Sequence, residues 1–144
     1  MLVAEYPELA AVTPDYRDFG ENVELAAPAA QGPARGCRTA TGTHHAKTVL
    51  GFTYFDMTTS VNYCWNARKV TSVSGLKTTF ANVASTAEIG GEIEATTETG
   101  AQGYAKHVYM VKNVVPVWGQ IGVVYTHNTF NLYKRASYSH THGE

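Results

Sequence analysis

Six histidines, two cysteines and a row of glutamates are the side chains of this 144-residue chain best suited to chemistry. His140 and His142 are two residues apart, so on a strand both imidazoles lie on one face. Two imidazoles hold a transition metal only when a third ligand arrives, and the neighbouring sequence offers none, which leaves them as incomplete metal candidates. His44 and His45 are expected in a loop ahead of the first long strand, and His107 and His127 as hydrogen-bonded strand or turn residues. Glu88, Glu92, Glu94 and Glu98 read as a solvated strand face. Glycoside hydrolysis needs two carboxylates flanking a bond; Asp56 with one of that row could supply such a pair, but nothing in the spacing singles it out. Gly-x-Ser-x-Gly, His-Glu-x-x-His, the phosphate-binding loop and Gly-x-Gly-x-x-Gly are all absent. The expectation is a protein without catalytic residues, cofactor or resident metal.

Cys37 and Cys64 allow a disulfide or two free thiols, and the disulfide is expected. Closing that loop stabilises a fold by about 3.5 kcal/mol on the chain-entropy account and implies an oxidising compartment. Trp65, next to Cys64, reads as core packing. Trp118 follows Pro116 on an irregular segment and is the candidate ligand-facing aromatic.

These residues must be positioned by strands. Charged residues are only 16% of the chain, net charge is −1, and Thr, Ser, Gly, Val and Tyr fill the difference. That balance excludes an electrostatic nucleic-acid binder, and no apolar run is long enough to insert across a membrane as a helix. Period-two patterning runs through Val49–Met57, Val61–Trp65, Lys69–Ser74, Leu76–Val83, Glu88–Glu98, Tyr104–Lys112, Val114–Tyr125 and Thr129–Tyr138. Gly75 marks a turn, while Pro116 and Gly119 mark a bulge or an edge. About eight short strands without a helix predict an all-β domain. The expected forms are an antiparallel β-sandwich, jelly-roll or immunoglobulin-like, or a bent barrel.

Residues 1–35 form an extended acidic arm, and residues 36–144 form the β-domain. Up to Ala34 six acids face one base, a net −5, while from Arg35 onward ten bases face six acids, a net +4. Four of the five prolines lie in the arm, so its pattern predicts a short helical turn near Pro7–Ala11 followed by extended chain. Tyr6, Leu9, Val12, Tyr16, Phe19, Val23 and Leu25 are too many apolar residues for a free linker and are suited to docking. Met1–Ala11 lacks the apolar run of a signal peptide, so the expectation is either a cytoplasmic chain or a numbering that begins after processing or cloning.

Gly36-Cys37-Arg38-Thr39, Leu50-Gly51-Phe52, Tyr63-Cys64-Trp65-Asn66 and Lys69-Val70-Thr71-Ser72 carry a resemblance. The stretch 36–74 resembles small secreted, disulfide-stapled all-β proteins of unknown function from actinobacteria-like bacteria. Ala67 stands where that pattern has glycine, and the later cysteines of those proteins are missing. The resemblance implies export and a disulfide-stapled β fold, and no activity. The expected function is a non-enzymatic extracellular structural subunit. It would assemble with copies of itself, in filament, pilus-like or surface-layer form, through its N-terminal arm or donor-strand exchange. The alternatives are a virion structural protein, decorating a capsid or building a tail, and a carbohydrate-binding module.

Overall fold

The computed structural model describes residues 22–26 (as backbone), 34–134 and 137–143, which form eight strands and no helix. They are β1 (Asn22–Ala26), β2 (Gly36–Lys47), β3 (Thr53–Trp65), β4 (Val70–Ala81), β5 (Ala87–Glu98), β6 (Gly103–Val115), β7 (Gly119–Tyr133) and β8 (Ser137–Gly143). β2, β3 and β4 make one antiparallel sheet, and the other has the order β1-β8-β7-β6-β5, also antiparallel throughout. The expected all-β sandwich is present. Its wiring is two meanders in succession, since within β2–β4 and β5–β8 each strand pairs with the next in sequence. β1 departs from that order by crossing to the β8 edge, where Asn22 stands opposite His142 and Ala26 opposite Tyr138.

Several boundaries differ from the sequence pattern. His44 and His45 lie inside β2, not in a loop, because Ala40, Gly42, His44 and Ala46 alternate inward against outward Thr39, Thr41, Thr43 and His45. The apolar run at 49–52 is a turn: the Thr48 amide donates to the Phe52 carbonyl (2.7 Å) and the Gly51 amide to the Thr48 carbonyl (2.9 Å). Gly51 takes φ 91° there, a conformation that favours glycine. Gly75 is a bulge within one strand: Ser60 pairs with Lys77 and Asn62 with Ser74, leaving two residues of β4 opposite one of β3. Pro116 belongs to the tight turn between β6 and β7, and β8 is a separate strand after Lys134. In β5, register shifts at Ile89/Gly91 and Glu92/Glu94 break the alternation, so Ile93 is 54% exposed rather than inward.

The sheets bury two apolar clusters. One holds Val61, Tyr63, Trp65, Val70, Phe130 and Leu132. The second, toward the turns at 48–52 and 116–118, holds Tyr54, Phe55, Met57, Val111 and Val124. Tyrosine hydroxyls tie the sheets together, Tyr63 donating to the Ser137 carbonyl (3.2 Å) and Tyr138 to the Thr41 carbonyl (3.3 Å). The Arg38 guanidinium lies 4.8 Å above the Tyr138 ring.

Asn113 is the exception to this matching. It is buried on β6, and neither its Oδ1 nor its Nδ2 finds a hydrogen-bond partner among the described residues. An unsatisfied buried amide costs about 1–3 kcal/mol. Asn113→Leu, which keeps the branching and the number of side-chain heavy atoms, is expected to raise stability by about 1–2 kcal/mol in urea titration. A loss of stability on that change would contradict this assignment.

Candidate functional site

A continuous layer of polar side chains separates the two apolar clusters and crosses the sandwich repeatedly. It starts at the exposed Glu92 carboxylate on β5, which accepts from His107 Nε2 at 2.6 Å. His107 Nδ1 is 2.7 Å from the Thr78 hydroxyl on β4, which is 2.7 Å from the Thr59 hydroxyl on β3. Asn128 on β7 donates from Nδ2 to Thr59 Oγ1 (2.9 Å) and to the Met57 carbonyl (3.1 Å). Its Oδ1 meets His140 Nε2 on β8 at 2.7 Å.

Counting protons orients the chain. Asn128 spends both amide protons on Met57 and Thr59, so its Oδ1 accepts from His140 Nε2–H. Thr59 has its own proton to give; donated to Thr78, it leaves Thr78 to donate to His107 Nδ1. In that arrangement His107 is the Nε2–H tautomer, donating to Glu92. Thr78→Val deletes two bonds from the middle of this chain while keeping the shape. It is expected to cost about 2 kcal/mol and to change the His107 tautomer balance, read by nitrogen-15 NMR of the ring.

The layer ends in a stack of histidines under β8. The His140 ring stacks between Phe130 and His142, with centroids 5.0 Å from each. His142 Nδ1 approaches His44 Nδ1 of β2 at 2.9 Å, so one nitrogen donates and the other must be unprotonated. Glycine is required at Gly42 because a Cβ there would enter the His140 ring. Burial first, then His142, His127, His45 and His140, pushes the His44 pKa from 6.5 down to about 3. His127 is also buried and bonds Thr129 Oγ1 through Nδ1 at 2.9 Å. The structure thus keeps His140 and His142 on one face as expected and adds His44, which sequence had placed in a loop. Among the described residues, no group of three or more His, Cys, Asp or Glu side chains is arranged to hold a metal ion.

β8, which carries this stack, is also the strand that receives β1. Backbone pairing sets Val23 opposite Thr141, Glu24 opposite His140 and Leu25 opposite Ser139. Tyr6, Leu9, Val12, Tyr16 and Phe19 lie outside the described residues, as does the predicted helical turn at Pro7–Ala11. On the opposite sheet Cys37 and Cys64 face each other across β2 and β3 and form the disulfide, with Cα atoms 4.0 Å apart. Trp65 is buried beside it, whereas Trp118 is 41% exposed at the β6–β7 turn. The exposed His45 and Asp56 pair at 2.6 Å on the outer face. Burial would raise the Asp56 carboxyl, but hydrogen bonds from Asn82 and His45, with Lys47 nearby, hold it below its usual range.

Asn128, Thr59 and Thr78 were missing from the sequence reading because Asn and Thr in a β pattern normally face water. Comparison of the chain with family models, with curated proteins and with solved structures gives no match.

Proposed function

We propose that this protein is a non-enzymatic, exported structural subunit that assembles with copies of itself, lending its N-terminal arm to a neighbour's sheet. The observation that carries the reading is β1: five residues of the arm join the β8 edge by backbone pairing, which is strand addition to a sheet. A short edge strand at the end of a linker can be exchanged between identical chains at low cost. The arm's apolar residues and its net −5 against a body of +4 favour docking on a like chain. The Cys37–Cys64 bond fits an oxidising, extracellular setting, as does the resemblance of residues 36–74 to secreted proteins.

The test compares the full-length chain with a full-length variant carrying Leu9→Ser, Val12→Ser, Tyr16→Ser and Phe19→Ser. Light scattering should give an assembly larger than the 15.6 kDa monomer for the first and the monomer for the second. Equal masses for both would overturn the reading.

A further inference from the structure

β7 is fifteen residues long, and β8 covers only part of it. His127–Tyr133 pair with β8; Gly119–Thr126 pair with β6 on one side and, among the described residues, with no strand on the other. This half-edge reads Gly-Gln-Ile-Gly-Val-Val-Tyr-Thr, without a charge or a proline. The other described edges are guarded: β1 carries Glu24, β2 Arg38 and Lys47, β4 Lys77, and β5 four glutamates with two register shifts. The exposed Tyr125 and the neighbouring Trp118 and Val117 make its surroundings apolar. Val117 holds φ 74° while fully exposed, an unfavourable conformation for a β-branched residue.

We infer that the open half of β7, Gly119–Thr126, is the acceptor for residues 1–21 of a second copy. The inference rests on the arm-lending reading above and names where the arm goes. Direction and charge select this occupant. Asn22 lies opposite His142 near the end of β8, the end that faces the open half-edge. β1 and β7 are both antiparallel to β8, so the same chain continued back from Asn22 would run parallel to β7. Every strand pair described is antiparallel, and a second copy is free to enter in that sense. Pro7 and Pro14 divide the arm into proline-free pieces of six to seven residues, which suits an eight-residue edge. Residues 1–21 carry five acids and one base, and Lys112 stands opposite Val123 one strand in from the edge.

The test uses hydrogen exchange on the full-length chain across a dilution series, with two variants. Amides 119–126 should gain protection as the chain associates, and added synthetic peptide 1–21 should compete. Gln120→Glu with Tyr125→Glu, both exposed positions, should weaken association at least tenfold by repelling the acidic arm. Leu9→Asp with Val12→Asp should weaken it as much. If the arm variant dissociates while the edge variant associates normally and 119–126 stay unprotected, arm lending stands and this acceptor is wrong. If only the edge variant dissociates, copies pair edge to edge and the arm-lending reading fails as well. Protection of 119–126 in a monomer at every dilution would mean the edge is covered within one chain, which also overturns the inference.

Discussion

Acidification from pH 7.5 to pH 4.5 is expected to remove about 3 kcal/mol of folding stability through His44 alone, lowering Tm by about 10 °C. His44 has a pKa of about 3 in the folded chain and 6.5 as the reference value for the unfolded one. Between those values the unfolded chain takes up a proton that the folded chain refuses. Stability is therefore complete above about pH 6.5 and declines as pH falls toward about 3. Geometry points the same way, since protonating both rings would set two N–H groups against each other across the 2.9 Å between His44 and His142. Asp56 also stabilises by a depressed pKa, but its contribution begins to fade only near its unfolded value of 3.8, below this window. Urea titrations of the wild type and of His44→Gln at both pH values isolate the effect. The wild type should lose about 3 kcal/mol more than the variant, and parallel losses would remove His44 as the cause.

Reduction of the Cys37–Cys64 bond is expected to cost about 3.5 kcal/mol, or a Tm drop of roughly 12–15 °C. The bond closes a 27-residue separation across neighbouring strands that are already paired along their length. Its contribution therefore lies mainly in restricting the unfolded chain. Cys37 is exposed on the outer face of the sheet, so a mild reductant reaches it in the native protein. Cys37 and His44 are seven residues apart on one strand, about 23 Å, so the two losses should add. Their sum, about 6.5 kcal/mol, falls within the 5–15 kcal/mol that holds an ordinary domain together. Reductant at pH 4.5 should then unfold a large fraction of the protein at 25 °C, seen as loss of near-ultraviolet circular dichroism. A fully native spectrum under both conditions together would contradict these magnitudes.

Much of this architecture is legible in the sequence, and the misreadings share a physical cause. Alternation over Tyr104–Lys112 reports β6 because sheet faces impose a period of two, and that over Glu88–Glu98 locates β5 but not its faces, which two register shifts interrupt. β2 escaped because its inward positions are Ala40, Gly42, His44 and Ala46, small or polar where a core strand is normally large and apolar. Gly42 is small because the His140 ring fills the space over it, a contact between residues 98 apart in sequence. Leu50 and Phe52 hid the turn between β2 and β3 by being apolar yet more than half exposed. His140 and His142 were legible as a pair on one face, while His44 and Asn128 join them only through the packing of two sheets. A polar layer of this kind has no local signature, since each member looks like an ordinary solvent-facing residue.

That layer and the strand-adding edge meet at β8, which carries His140 and His142 and pairs with β1 through the same residues. β1 thus pairs with a hydrogen-bonded strand of the body rather than with a loop, a seat that suits the exchange between copies proposed above. Sedimentation velocity of the native full-length protein from about 1 to 100 μM, a range wide enough to expose weak exchange, tests self-association most directly. The account predicts a concentration-dependent shift from the 15.6 kDa monomer to larger species; a single 15.6 kDa boundary across the whole range would contradict it.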